Sequence, residues 1–487
     1  MILYVIILLP LLLGLCCAFF RPGGSKGQTV FMLLVQAATT GVILATVCRG
    51  GTPATTPIYL TESLMFSLRM DQLAAFICLL TAVCWLLTVL YAYVYMHHEK
   101  NEPRFYAFLF LTESMVLGSA LAADLVTLYL FYELTTVLSF PLVLHSQNFK
   151  ALLGASKYLY YSVGGAFAAL FGMMVLYFQC GSMSFTAGGF MTEVTPLTLT
   201  AVFCMILGFS AKAGLFPLHN WLPSAHPVAP APAHALLSGV IAKVGAVAVI
   251  RTIYCMVGVE LLRGTWVQTA CLCLALVTIF MGSFMGCTEN GLKKRLAYSS
   301  ISQISYVLLG VFILSPLGLT GALLQIFFHA AAKIGVFQSA GAIIYLTDVT
   351  TIDRFPALGK RIPVTMICFT MLSLSLVGIP PLRRLSQQVV SGHRGFENAA
   401  GCNGLCDPRR FAGFGAVHGG LPVLPHCTQL FPGQGFPHSG TGPRAGGHDA
   451  VAGGFFRLGP AAGPVPQRRY FGNALHRRRA DVREVLT

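Results

Sequence analysis

Long apolar runs alternate with short polar ones along this chain, and the runs have the length of a membrane crossing. A helix needs about 20 apolar residues to span the hydrocarbon layer. Twelve windows of that kind occur, near residues 1–20, 28–48, 72–96, 105–122, 124–145, 155–179, 196–218, 228–257, 267–286, 296–315, 319–346 and 363–382. The pattern predicts an all-α polytopic membrane protein with about 12 transmembrane helices. The first window has no basic leader and no small-residue cleavage site, and Arg21 and Lys26 follow it, so it reads as a retained span rather than a signal peptide.

Two windows are interrupted. The seventh contains AKAGLFPLHNWLP and the twelfth LVGIPPL, each with Gly and Pro where a straight helix would lose backbone hydrogen bonds. Broken helices in corresponding halves point to a transporter built from inverted repeats, here a five-helix unit over spans 4–8 repeated from span 9. Either kink alone is explained equally well by the ordinary use of Pro in membrane helices. Basic residues gather after odd-numbered spans: Arg21 and Lys26, Lys100 and Arg104, Lys150 and Lys157, Lys293, Lys294 and Arg295, then Arg354, Lys360 and Arg361. That bias puts those ends in the cytoplasm and the N-terminus outside. Span seven is the weak point, since only His219 and His226 follow it.

Ionisable groups at bilayer depth cost at least about 2.5–3.5 kcal/mol each, so each is a functional candidate. Glu133 lies mid-span in DLVTLYLFYELTTVLSFPLVLH, and Lys212, at the break of span seven, is its natural partner. A gate that moves Glu133 toward or away from Lys212 would load and unload a proton; a static ion pair is the bland alternative. Lys243 lies in the middle of span eight, and His234 precedes it by nine residues. Nine residues are about 13 Å along a helix axis, too far for direct contact but within reach of water. In span eleven, FFHAAAKIG sets His329 and Lys333 on one face at i and i+4, and histidine suits a relay near neutral pH. Taken alone, His329 reads more simply as a core histidine. Glu113 in span four suits packing as well as relay, Asp124 reads as a solvated turn residue, and Tyr158, Tyr160 and Tyr161 read as an interface belt.

Composition removes other classes. The chain has 487 residues, of which 55% are hydrophobic and 10% charged, and its mean hydropathy is +0.71. Soluble chains are about a quarter charged, so a soluble enzyme is excluded. The net charge of +15 does not indicate nucleic acid, because residues 383–487 alone hold 13 Arg, no Lys and 5 Asp/Glu, or +8. The 15 Cys are scattered through apolar runs without metal-site spacing. No phosphate loop, GxGxxG, HExxH or redox-centre cysteine cluster is present. No metal, cofactor or redox chemistry is therefore expected in this chain.

Four stretches resemble the proton-antiporter-like membrane subunits shared by respiratory complex I, Mrp sodium/proton antiporters and hydrogenase-4-type complexes. They are LYLFYELTTVLSFPLV, KAGLFPLHNWLPSAHPVAPAPAHALLSGVIAKVGAVAVIR, GLKKRLAYSSISQISYVLLG, and FFHAAAKIGVFQSAGAI followed by LVGIPPL, within about residues 60–382. AHPVAPAPAHALLSG looks most like Mrp D-type and hydrogenase-4-type chains. The resemblance implies a fourteen-helix fold with broken helices seven and twelve and a polar axis through the membrane centre. It implies that Glu133 and Lys212 couple the first half-channel, that Lys243 is the central relay, and that His329 and Lys333 form the second half-channel. It also implies sister membrane subunits, protons (or sodium with protons) as cargo, and residence in a bacterial-type inner membrane. The resemblance adds a driving force, a redox step in a partner subunit or exchange against a cation. A stand-alone secondary transporter is the alternative.

Beyond Leu382 the chain departs from that family, in which GIPPL continues through a glycine and an aromatic residue to a lysine. Here RRLSQQVVSGHRG follows, and residues 383–487 hold 19 Gly and 9 Pro. Gly, Pro, Ala and Arg are the residues of GC-rich codons. Arg383–Val390 can be written CGG CGG CTT TCC CAG CAA GTG GTA, and removing one nucleotide gives Gly-Gly-Phe-Pro-Ser-Lys-Trp, the family continuation. A frameshift after Leu382 is therefore expected, dividing the chain into a membrane domain at 1–382 and an out-of-frame tail at 383–487. A genuine disordered tail is the alternative. Without the helix-twelve lysine the second half-channel lacks its exit, so the chain as written is expected not to translocate protons.

Overall fold

The computed structural model describes residues 1–19, 24–59, 65–97, 99–181, 183–191, 193–355 and 358–377. Each of the twelve windows contains a helix. They are α1 (Ile2–Phe19), α2 (Gly24–Cys48), α3 (Gln72–Met96), α4 (Glu102–Leu121), α5 (Leu125–Val143), α6 (Phe149–Cys180) and α7 (Pro196–Ala213). The series continues with α8 (Ala231–Val257), α9 (Trp266–Thr288), α10 (Leu292–Phe312), α11 (Pro316–Thr347) and α12 (Pro363–Val377). Among the described residues, 9 of these are long and apolar enough to cross a membrane. The other three are α4, which holds Arg104 and Glu113, α10, which opens on Lys293, Lys294 and Arg295, and the shorter α12. GIPPL and the tail lie outside the described residues, as do the proposed break in the twelfth span and the frameshift.

Local chemistry sets the boundaries. Asp71, Asp124, Asn148 and Ser315 cap α3, α5, α6 and α11 by accepting the backbone N–H of Ala74, Thr127, Ala151 and Gly318, which satisfies donors that a helix start leaves unpaired. Asp124 corrects one expectation: it is fully buried, and its Oδ2 also accepts from Ser67 Oγ and Thr127 Oγ1, each at 2.7 Å. Tyr158 is another correction, because it is buried with its hydroxyl 2.7 Å from Ser139 Oγ, while Tyr160 stays 75% exposed.

The break in span seven falls where the sequence places it. α7 ends at Ala213, and Gly214 takes the left-handed conformation (φ 81°) that ends helices at glycine. Trp221 Nε1 then donates to Ala211 O at 2.9 Å, and Phe216 N donates to Thr278 Oγ1 at 2.9 Å. The opened turn is thus satisfied by side chains, as non-helical backbone at membrane depth requires.

α8 is the axis of the bundle. It is buried without interruption from Ala231 to Ile253 and packs against α3, α4, α5, α7, α10 and α11. It is not uniform, since Leu237–Ile241 and Arg251–Val257 form π turns. Such turns cluster at functional sites, and the first lies between His234 and Lys243.

Candidate functional site

Lys212 occupies the last turn of α7 with no solvent exposure. Its Nζ donates to the Tyr132 carbonyl of α5 at 2.5 Å and lies 3.7 Å from the centre of the Tyr132 ring. Glu133 is the next residue along α5, and its Oε1 is buried without a hydrogen-bond partner. The two expected partners are therefore neighbours, close enough for their charges to interact. Among the described residues no direct ion pair joins them. Gly245 of α8 makes the site compact, because a Cβ there would lie 2.6 Å from Phe209 O and 3.3 Å from Lys212 Cβ.

Lys243 is 2% exposed, and its Nζ donates to the Ser238 carbonyl inside the first π turn of its own helix. Ser238 Oγ is 2.7 Å from Ser300 Oγ of α10. Ser300 Oγ donates to Leu296 O at 3.0 Å, and Lys333 Nζ of α11 donates to that same carbonyl at 2.9 Å. Lys243 and Lys333, 90 positions apart in the sequence, are thus linked through Ser238 and Ser300 by two hydroxyls and two carbonyls, those of Ser238 and Leu296. Sequence reasoning missed both serines, because a lone Ser in an apolar helix carries no signal of its own.

His329 and Lys333 are both fully buried on α11, so the expected shared face turns inward. Phe337, one further turn along, was also missed. Its ring centre is 3.8 Å from that of His234, and it lies 5.3 Å from Lys333 Nζ. His226 joins the same cluster, 4.4 Å from His234 between ring centres, with both ring nitrogens buried and unpartnered. The spacing Lys333 to Phe337 at i+4 could have pointed to the second residue, as His329 to Lys333 did to the first. The six candidate side chains therefore fall into two groups: Glu133 with Lys212, and Lys243, His234, His329 and Lys333 around the α8–α10–α11 contact.

Among the described residues, no group of His, Cys, Asp and Glu is arranged to hold a metal ion. What the arrangement offers is two groups of buried ionisable side chains, with Lys243 and Lys333 of the second linked by short polar steps, inside a helical bundle of membrane-crossing length. That combination defines an integral membrane protein with ionisable groups buried among its helices.

The transmembrane family described as NADH:quinone oxidoreductase/Mrp antiporter matches residues 122–391, and the N-terminal family of complex I chain 5 matches residues 60–106. The chain belongs to the NADH:quinone oxidoreductase/Mrp antiporter membrane family. It is 31% identical to NADH-quinone oxidoreductase subunit N of Desulforudis audaxviator over 325 residues, 64% of this chain and 63% of that one. It is 29% identical to hydrogenase-4 component B of Escherichia coli over 338 residues, 65% of this chain and 49% of the relative. The chain thus spans less than two thirds of the length of either relative. Its fold is similar to a chain of the membrane-bound sulfane sulfur reductase, an archaeal respiratory membrane complex, with a TM-score of 0.75, 21% identity and 88% of both chains covered.

Proposed function

We propose that the chain is a proton-translocating membrane subunit of a multisubunit complex, driven by a partner's redox chemistry or by sodium exchange. One observation carries the reading: Lys212, Lys243 and Lys333 are buried in the bundle centre on three helices, each donating to a main-chain carbonyl. Each buried cation carries a cost, and a carbonyl holds it more loosely than a bidentate carboxylate would. Glu133 and Lys212 form the coupling pair of the first half-channel. Lys243 is the central relay, and His234, His329 and Lys333 serve the second. The proposed inverted repeat places α6 opposite α11, and both helices have 32 residues. The N-terminus faces outside a bacterial-type inner membrane, following the distribution of basic residues.

The composition after Leu382 favours a frameshift there, so the chain as written lacks the exit of its second half-channel. The encoding DNA tests this: read one frame over, it should give two further apolar spans, and a stop or a polar reading would refute it. The functional reading is tested by proton uptake in membrane vesicles carrying the frame-restored chain with the products of its neighbouring genes. Uptake that is lost in Lys212→Met, Lys243→Met and Lys333→Met supports the assignment; undiminished uptake in all three overturns it. The chain as written is expected to give no uptake.

A further inference from the structure

Glu113 is a fully buried carboxyl that the proposed pathway does not use. It sits in the middle of α4, yet its contact runs to α2, where Gln36 Nε2 donates to Glu113 Oε1 at 2.6 Å. The neighbouring Ser114 Oγ donates to Ile7 O of α1 at 2.7 Å. This part of α4 therefore faces α1 and α2. Gln36 is itself 0% exposed, and two atoms of the pair have no protein partner: Glu113 Oε2 and Gln36 Oε1. Among the described residues no ion pair includes Glu113.

The two leftover atoms belong to the far ends of groups that are already paired. If Glu113 is ionised, both are acceptors and a buried negative charge has no counter-ion, a state that proteins avoid by neutralising the group. If Oε2 carries a proton, it becomes a donor and Gln36 Oε1 is its complement. One proton then closes a ring of two hydrogen bonds, Nε2–H to Oε1 and Oε2–H to the amide oxygen. A bound sodium ion fits less well, because it needs several oxygen ligands and the pair offers two.

We propose that Glu113 is a resident proton site: a neutral carboxylic acid locked to the Gln36 carboxamide, which ties α2 to α4 and keeps its proton through turnover. The proton comes from the aqueous phase before or during membrane insertion and does not enter the pathway. The pair is a fastening, and α4 contributes no carrier.

Infrared spectroscopy on the purified full-length chain tests this, together with thermal unfolding in detergent. Comparison of the wild type with Glu113→Gln should show loss of one carbonyl band of a protonated carboxylic acid, with no change in carboxylate bands at neutral pH and below. Gln36→Leu should keep the acid band but move it to higher frequency, as a hydrogen bond to the carbonyl is lost. Glu113→Gln can rebuild the ring as an amide pair, so its unfolding midpoint should match the wild type, whereas Glu113→Ala should lower it. Loss of a carboxylate band in Glu113→Gln, or a midpoint lowered as far as in Glu113→Ala, overturns the proposal.

Discussion

Arg251 and Lys212 are two cations buried to the same degree on helices that touch, and they are held in opposite ways. Arg251, 2% exposed at the second π turn of α8, donates both outer nitrogens to Asp71, with Nη2 to Oδ1 at 2.9 Å. The Phe185 ring lies 5.5 Å beneath it. Lys212 has one carbonyl and one aromatic face, and the nearest carboxylate, Glu133, does not close on it. A bidentate arginine–carboxylate pair is geometrically fixed, so the first region fastens α3 to α8. The second region leaves its cation with an alternative partner one residue away. The two cations are alike in burial and differ in the number and kind of their acceptors, which on the proposed function separates a fastening from a carrier.

Asp71→Ala strands the Arg251 charge and should destabilise the fold more than any other change named below. It should cost about 3–5 kcal/mol, read as a drop in the unfolding midpoint in detergent. Replacing both partners by apolar residues of similar volume should restore most of that loss. The pH dependence has a definite sign. Burial would raise the Asp71 carboxyl, but Arg251 hydrogen-bonds to it and holds it below its ordinary value of 3.8. A depressed folded-state value means the clamp contributes fully above that ordinary value and is lost as pH falls through the lower one. Midpoints should therefore stay flat through the neutral range on this account and fall only in acid, and Asp71→Asn should lack that acid limb.

A smaller loss should follow at the seam between the two cations. Gly245→Val places atoms against Phe209 O and the Lys212 stem, so it should cost about 1–3 kcal/mol as an overpacked contact and should slow transport by displacing Lys212. Smaller still is Ser300→Ala, which removes the hydroxyl between Lys243 and Lys333. It should lower stability by about 0.5–1.5 kcal/mol and reduce transport more than stability, measured as proton uptake against the unfolding midpoint. Equal loss in both would make Ser300 a packing residue only.

Much of this was legible in the sequence. The window at 72–96 coincides with the helix Gln72–Met96, and AKAGLFPLHNWLP located the break because glycine and proline change the backbone wherever they stand. Glu133, Lys212, Lys243, His234, His329 and Lys333 stood out because charge is rare in apolar runs. Pairings were less visible. Asp71 and Arg251 are 180 residues apart, and Ser238 and Ser300 are 62 apart, so nothing local links them. Asp124 read as a surface turn because a helix cap looks the same whether water or protein covers it. The π turns were hidden because one extra residue in a uniformly apolar helix leaves no periodic trace.

On the proposed function, the loosely held cation moves charge and the clamped one does not. This is tested most directly by proton uptake in vesicles carrying the frame-restored chain in its assembled complex, comparing Lys212→Met with the Asp71→Leu/Arg251→Met double variant. Lys212→Met should abolish uptake while keeping its unfolding midpoint, and the double variant should retain uptake. Full uptake in Lys212→Met, or a folded double variant with none, would contradict it.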